Sequence, residues 1–287
     1  MLKAANDPII IRDIHHVSEI RLVEQLEKEV WGLNDLDVVP MMQLVATIHA
    51  GGHLIGAFDR DELVGFAYGF VGLERGVTIH HSHMLAVKQT YRNRDLGRRL
   101  KLAQRERALR QSITRMTWTF DPLQSLNAHF NFSKLGVLAD TYIINFYGET
   151  TPSFLHRNGT DRLWVNWPLD SQRVKDRIER GARDKDSFFD LKNIAPLVQL
   201  GADSEPRRNE STAAFDEEQI LIEIPTNIIE LEQTRLSLAR EWREATRVAF
   251  TKALAAGYIV TEFYLSTRGE QRYGAYLLDA RQRVEGA

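Results

Sequence analysis

The 287-residue chain has no cysteine, which excludes disulfide bridges, a cysteine nucleophile and thiolate metal sites. It also has no apolar run long enough for a signal or membrane-spanning helix, so the expected location is cytoplasmic and no membrane partner is expected. Charge of one sign is missing too: 37 Lys and Arg against 39 Asp and Glu leave a formal charge of −2. No overall basic field argues for nucleic acid, and the one concentrated basic run, Arg92 to Arg110, lacks the interleaved aromatics of a nucleic-acid surface. Repeats and low-complexity tracts are absent. What is present is a 43% hydrophobic chain, long enough for one large or two ordinary domains around a buried core.

Read in order, residues 9–12 make a short β-rich run, and Ile20, Val23, Leu26 and Val30 fall on one stripe of a helix expected from Val17 to Trp31. A second helix is expected from Met42 to Ala50, closed by Gly51 and Gly52. Residues 53–58 and 63–68 flank a polar turn at Asp59–Glu62 and predict a hairpin. The strand that follows holds the densest chemistry of the chain. Alternation over His80–Val87 puts His81, His83, Leu85 and Val87 on one face and Ser82, Met84 and Ala86 on the other. After a polar turn at Arg92–Gly97, the spacing of Leu96, Leu100 and Ala103 becomes helical. Residues 113–120 then make a strand stopped at Asp121-Pro122, completing a parallel crossover that opens at the turn.

A helix N-terminus presents about four unpartnered N–H groups and partial positive charge, which suits phosphate. The turn lacks the glycine and lysine spacing of nucleotide-kinase and dinucleotide loops. It resembles instead that of the GNAT superfamily of acyl-coenzyme A dependent acyltransferases, where Arg or Gln, two residues, Gly, one residue, then Gly or Ala cradles the coenzyme A pyrophosphate. Arg92 and Gly97 match the ends of that pattern, and Asp95 replaces its first glycine, where a positive φ is anticipated. The short helix Ser125–Gly136 and closing strands at 142–147 and 162–167 extend the resemblance to roughly residues 9–168.

The resemblance implies an α/β (α+β) GNAT fold: a mixed central sheet flanked by helices, with a small β-α-β-β C-terminal extension. The expected domains are 1–169 for acyl transfer, 170–216 as a charged linker broken by Gly181, Pro196, Gly201 and Pro206, and 217–287 as the extension. It further implies acetyl-CoA as acyl donor, held by the backbone of Leu85, Ala86 and Val87, by Arg92, Asn93, Arg94, Asp95, Leu96, Gly97 and Arg98, and by Asn127, Asn131 and Lys134. The acceptor would be a small-molecule amine or similar nucleophile attacking directly in a ternary complex, and a homodimer is possible.

His83 stands where many members carry a glutamate base. The run His81-Ser82-His83-Met84-Leu85-Ala86-Val87 also resembles the strand of arylalkylamine N-acetyltransferases in which paired histidines relay the amine proton. A histidine pKa near about 6.5 suits that work. Asp121 is a candidate to orient a histidine or bind the amine, or else a turn former. The position of the usual general-acid tyrosine holds Phe132, leaving Tyr147 or Tyr142 as substitutes. That gap keeps open a non-catalytic acyl-CoA binding protein. No metal is expected, because His80 points away from His81 and His83 in a regular strand. The aromatics Trp31, Phe66, Tyr68, Trp118 and Phe120 read as core or as an apolar amine pocket, and Arg235, Arg240, Arg243 and Arg247 as a solvated helix face or as contacts for an acidic substrate. The triplets at Asn158 and Asn209 have the spelling of glycosylation acceptors.

Overall fold

The computed structural model describes residues 9–149, 158–180, 191–209 and 211–280. It divides into two compact units, Met1–Trp118 and Thr119–Ala287. In the first, chain order is β1 (Ile10–Asp13), α1 (Val17–Trp31), α2 (Met41–His49), β2 (His53–Asp59), β3 (Glu62–Glu74), β4 (Val77–Val87), α3 (Leu96–Arg110) and β5 (Arg115–Phe120). The strands lie in the order β1-β2-β3-β4-β5, antiparallel up to β4, with β5 added parallel. The apolar stripe of α1 buries Ile20, Val23 and Leu26, and the helix stops at Gly32, whose φ of 65° lets its amide reach the Lys28 carbonyl. Together with Leu44 of α2, these residues cover Leu54, Phe58, Phe66 and Tyr68 on one face of the sheet. On the other face, Leu96 and Leu100 of α3 cover Ile55, Ala57, Val64 and Ala67. The β3–β4 hairpin closes through Arg75 and Gly76, both at positive φ (49° and 78°), as a two-residue turn requires.

The alternation expected along β4 is interrupted. Tyr68 pairs with Met84 but Gly69 pairs with Ser82, so His83 is an extra residue with no partner on β3, a β-bulge. The bulge flips every side chain before it relative to those after it. Leu85 and Val87 pack toward α3, as does Ser82, which bonds Gln104 and Lys101 of that helix. His81 and His83 therefore do not share a face with Leu85 and Val87, contrary to regular alternation; they face the α2 side beside Tyr68 and Phe70. Across β3, the missing side chain of Gly69 allows the His53 and His80 rings to stack with centroids 4.2 Å apart. A Cβ at Gly69 would stand 2.4 Å from His80 Nε2 and 2.6 Å from the His81 carbonyl oxygen. Gly69→Ala is accordingly expected to destabilise the protein by about 1–3 kcal/mol, read as a lower denaturant midpoint at unchanged slope.

The second unit continues with α4 (Ser125–Ala128), which runs into a wider π-helical stretch over His129–Leu135 and ends at Gly136 with φ 76°. There follow β6 (Leu138–Ile143), β7 (Arg162–Pro168), α5 (Gln172–Arg180), β8 (Pro196–Leu200), β9 (Pro206–Arg208), β10 (Gln219–Pro225), α6 (Ile228–Thr234), α7 (Leu236–Ala255), β11 (Tyr258–Arg268) and β12 (Gln271–Ala280). Their sheet order is β7-β6-β11-β12-β10-β8-β9. Tyr276 is the hub of this core, with Phe263, Phe250 and Phe132 rings 4.7, 5.1 and 5.8 Å away.

Three expectations change here. The segment 170–216 is no simple linker: it supplies α5, β8, which pairs parallel with β10, and β9; Gly181 lies outside the described residues. The division at 169 is replaced by one at Trp118/Thr119, because β6 pairs with β11 of the expected extension at Ala139↔Val260. Finally, the α7 arginines are not one solvated face. Arg235 and Arg240 are exposed, but Arg243 is buried in a bidentate pair with Asp121 (2.7 and 2.8 Å), and Arg247 grips Asp161 (2.8 and 3.0 Å). Asn158 is buried and donates to the Ala239 carbonyl, which leaves no accessible acceptor; of the other triplet, Glu210 lies outside the described residues. No helix among the described residues is long and apolar enough to cross a membrane.

Candidate active site

The bulge places His83 on the wall of an open cleft of about 470 Å³ between α2 and strands β3 and β4. Gln43, Ala46, Thr47 and Ala50 line it from α2, and Tyr68, Phe70 and Val71 from β3. The Tyr68 and Phe70 rings lie 6.1 and 6.0 Å from the His83 ring, and the Tyr68 hydroxyl is 2.8 Å from the Thr47 hydroxyl. Of the aromatics considered from sequence, Tyr68 alone lines this cleft. Phe66 is core, and Trp118 carries the buried Lys101 amine 3.6 Å above its ring.

His81 stands beside His83, ring centroids 6.3 Å apart, and its Nδ1 is 3.0 Å from the Thr117 hydroxyl, which fixes the ring. Burial, the His83 charge and Lys101 pull the His81 pKa down to about 4. Desolvation by surrounding atoms lowers that of His83 as well, although the ring still sees water across the cleft. Both imidazoles are therefore neutral at pH 7 and able to accept a proton. His80, on the opposite face, is buried with neither ring nitrogen bonded; burial first, then repulsion from His53, Lys101 and His81 in their protonated forms, pulls its pKa down to about 2.

These shifts link to stability. The unfolded chain takes up histidine protons near pH 6.5, whereas folded His81 resists until about 4. Stability is complete above pH 6.5 and declines as pH falls through that window, by up to about 1.4 kcal/mol per pH unit for each such histidine. Thermal midpoints measured between pH 7 and 4.5 should fall, and fall less steeply in His81→Gln.

One step along the same strand, a second feature appears. β4 and β5 pair only at His80↔Met116 and His81↔Thr117, so the edge of β4 at Leu85, Ala86 and Val87 has parted from β5 while remaining bonded to Phe66 and its neighbours on β3. Beyond it the chain turns into α3. Tyr91 anchors the turn through a 2.7 Å hydrogen bond to Asp59, and Asn93 and Asp95 both adopt left-handed conformations (φ 64° and 58°). Asp95 thus takes the positive φ anticipated at the position of the missing glycine, which Asp and Asn tolerate best among residues with a side chain. Its carboxylate lies 3.4 Å from the Arg98 guanidinium, which offsets the like charge it would present to a phosphate. Arg92 and Arg94 are exposed, with Arg94 stacked over the Tyr91 ring at 4.9 Å. The first turn of α3, at Leu96 and Gly97, offers helix N-terminal amides and partial positive charge. A parted strand edge, a helix N-terminus and flanking arginines suit a ligand with an extended arm and phosphates.

The remaining candidates belong to the second unit. Asp121 is committed to Arg243 and to the Leu123 amide, so its carboxylate is engaged within that unit. Tyr147 is exposed, edge-on to Phe146 at 4.7 Å and beneath the Arg162 guanidinium. Tyr142 donates to Asp161 (2.8 Å), and burial drives its pKa upward. Asn127 and Lys134 are exposed, Asn131 is buried, and Phe132 is fully buried. Sequence reasoning missed Gln43, Thr47, Phe70 and Thr117. The spacing of Gln43 and Thr47 on one helical stripe was visible, but nothing distinguished it from an ordinary helix surface.

Several solved structures resemble the chain. The ribosomal-protein-S18-alanine N-acetyltransferase of Escherichia coli aligns at 14% identity over 57% of this chain and 96% of its own, with a TM-score of 0.46. A putative acetyltransferase of the GNAT family from Desulfovibrio desulfuricans aligns at 14% identity over 56% and 99%, also at 0.46. A GNAT family acetyltransferase from Elizabethkingia anophelis with acetyl-CoA bound aligns at 15% over 56% and 99%, at 0.43. No curated protein matches the chain in sequence. Residues 20–136, from α1 through β4, the turn and α3 to the glycine that ends the π-helical stretch, match the profile of the Acetyltransferase (GNAT) family. The chain therefore carries, at residues 20–136, a GNAT acetyltransferase domain.

Proposed function

We propose that the protein transfers an acyl group, acetyl in the first instance, from coenzyme A to an amine, with His83 as general base. The observation that carries this reading is the placement on β4 of His83, opening on a cleft, two residues before the strand edge that has parted from β5. The bound thioester would supply an activated carbonyl. The backbone of Leu85–Val87 would align it, and the α3 amides with Arg92, Arg94 and Arg98 would hold the phosphates. His83 removes the proton from the attacking nitrogen, and His81, held by Thr117, passes it on toward solvent.

Calorimetric titration with acetyl-CoA tests the binding half. Heat is expected from wild type and none from Gly97→Trp, whose indole would fill the space before the first turn of α3. Absence of heat at high acetyl-CoA in wild type would end the reading. The alternative of an acyl-CoA binder without turnover draws support from Phe132: a buried core ring, 5.8 Å from Tyr276, stands at the usual place of the acid. Thiol release with any member of a broad amine panel decides for catalysis; tight binding with no release across the panel decides for the binder.

A further inference from the structure

Cleft chemistry narrows the acceptor. Val39, Ala46, Ala50, Phe70 and Val71 give it an apolar lining, and among the described residues that line it none is Asp, Glu, Lys or Arg. Its polar groups are few and partly spent. Thr47 and Tyr68 share one hydrogen bond at 2.8 Å, and the Gln43 amide leans on Thr47 at 3.4 Å. His83 is the basic group on the wall that an incoming nitrogen meets. At about 470 Å³ the space exceeds the roughly 150 Å³ that accepts benzene, so it admits one ring with substituents.

We infer that the acceptor is an amine uncharged at neutral pH and borne on an apolar body, an aromatic amine being the simplest case. This rests on the acyl-transfer reading above. An alkylammonium entering the cleft would exchange part of its water for an apolar lining with no carboxylate among it, and desolvating a charge without a partner is costly. It would also have to lose its proton first, and at pH 7 only about one alkylamine in a thousand is neutral. A neutral aromatic amine meets neither cost, and its ring matches Tyr68 and Phe70 in offset or edge-on contact. The neutral imidazoles fit the same picture, since they neither repel a cation nor bind an anion. In the transfer, the nitrogen lone pair attacks the thioester carbonyl. The C–N bond forms, the C–S bond breaks, the nitrogen's proton goes to His83, and a proton returns to the departing thiolate, giving amide and free thiol.

The test is thiol release from acetyl-CoA with 4-methylaniline, 4-methylbenzylamine, spermidine and glutamate, in wild type and in Ala46→Asp. Ala46 is exposed on α2 and lines the cleft, so the substitution adds a carboxylate there without disturbing the core. Wild type is expected to favour 4-methylaniline at pH 7, with the benzylamine rate rising about tenfold per pH unit as it deprotonates. Ala46→Asp should shift the kcat/KM ratio toward 4-methylbenzylamine by about tenfold, the effect of about 1.4 kcal/mol. Preference of wild type for spermidine, glutamate or the benzylamine at pH 7 overturns the inference and leaves acyl transfer standing. Thiol release with none of a broader panel overturns acyl transfer. Saturation-transfer NMR with 4-methylaniline reads the cleft independently of turnover: a signal weakened by Ala46→Asp supports the assignment of the cleft, and no signal in wild type overturns it.

Discussion

A His83→Gln protein is expected to bind acetyl-CoA as wild type does and to turn over about a hundred- to ten-thousand-fold more slowly, the usual effect of removing a general base. Binding is spared because it depends on the turn at Arg92–Arg98 and on backbone groups. Glutamine keeps the size and a hydrogen-bonding end but accepts no proton at neutral pH. The lowered pKa of His83 places the acid limb of the wild-type rate profile below pH 6.5, where the base becomes protonated; above that limb the rate should be insensitive to this group. His81→Gln should have its own cost, and the double variant should lose less than the product of the two single losses if the pair acts as one relay. Wild-type kcat with an unchanged pH profile in His83→Gln would remove the histidine from the mechanism.

The second large effect is on stability. Asp121→Ala is expected to destabilise the protein by about 3–5 kcal/mol, because it leaves the Arg243 guanidinium buried without its partner. The pair is nearly inaccessible, with side-chain exposures of 5% for Arg243 and 9% for Asp121. Burial alone pushes the Asp121 carboxyl pKa up; the charge and hydrogen bonds of Arg243 outweigh that and bring it below the usual range. The same substitution combined with Arg243→Met should recover much of the loss, since removing both charges removes the uncompensated one. Urea denaturation of the three variants measures this. Equal instability of the single and double variants would mean that packing, not charge, holds the site.

These two residues mark the limits of what the sequence disclosed. The α1 span, the β2–β3 hairpin and the strand-turn-helix from β4 to α3 were legible because each is encoded locally, in spacing and in turn residues. The positive φ of Asp95 was legible for the same reason. Pairing of Arg243 with Asp121, 122 positions away, has no local trace; an arginine on a polar helix stripe reads the same whether solvent or a carboxylate meets it. β8 and β9, of five and three residues, are too short for periodicity to stand out from a charged segment. Two histidines at alternate positions were correctly read as neighbours, but the face they occupy was not, because one unpaired residue reverses it.

That reversal has a consequence for how such a protein changes over time. In a regular strand, residues 81 and 83 would belong to the same wall as Leu85 and Val87, and altering the cleft would mean repacking α3 against the sheet. The extra residue separates the two duties. On the acyl-transfer reading proposed above, substitutions at the exposed positions Gln43, Ala46 and Ala50 would retune which acceptor is taken while the apolar contacts of Leu85 and Val87, and the parted edge beside them, stay as they are. On that reading acceptor preference would be free to drift at little cost to folding, and relatives that keep the bulge are expected to differ most at these positions.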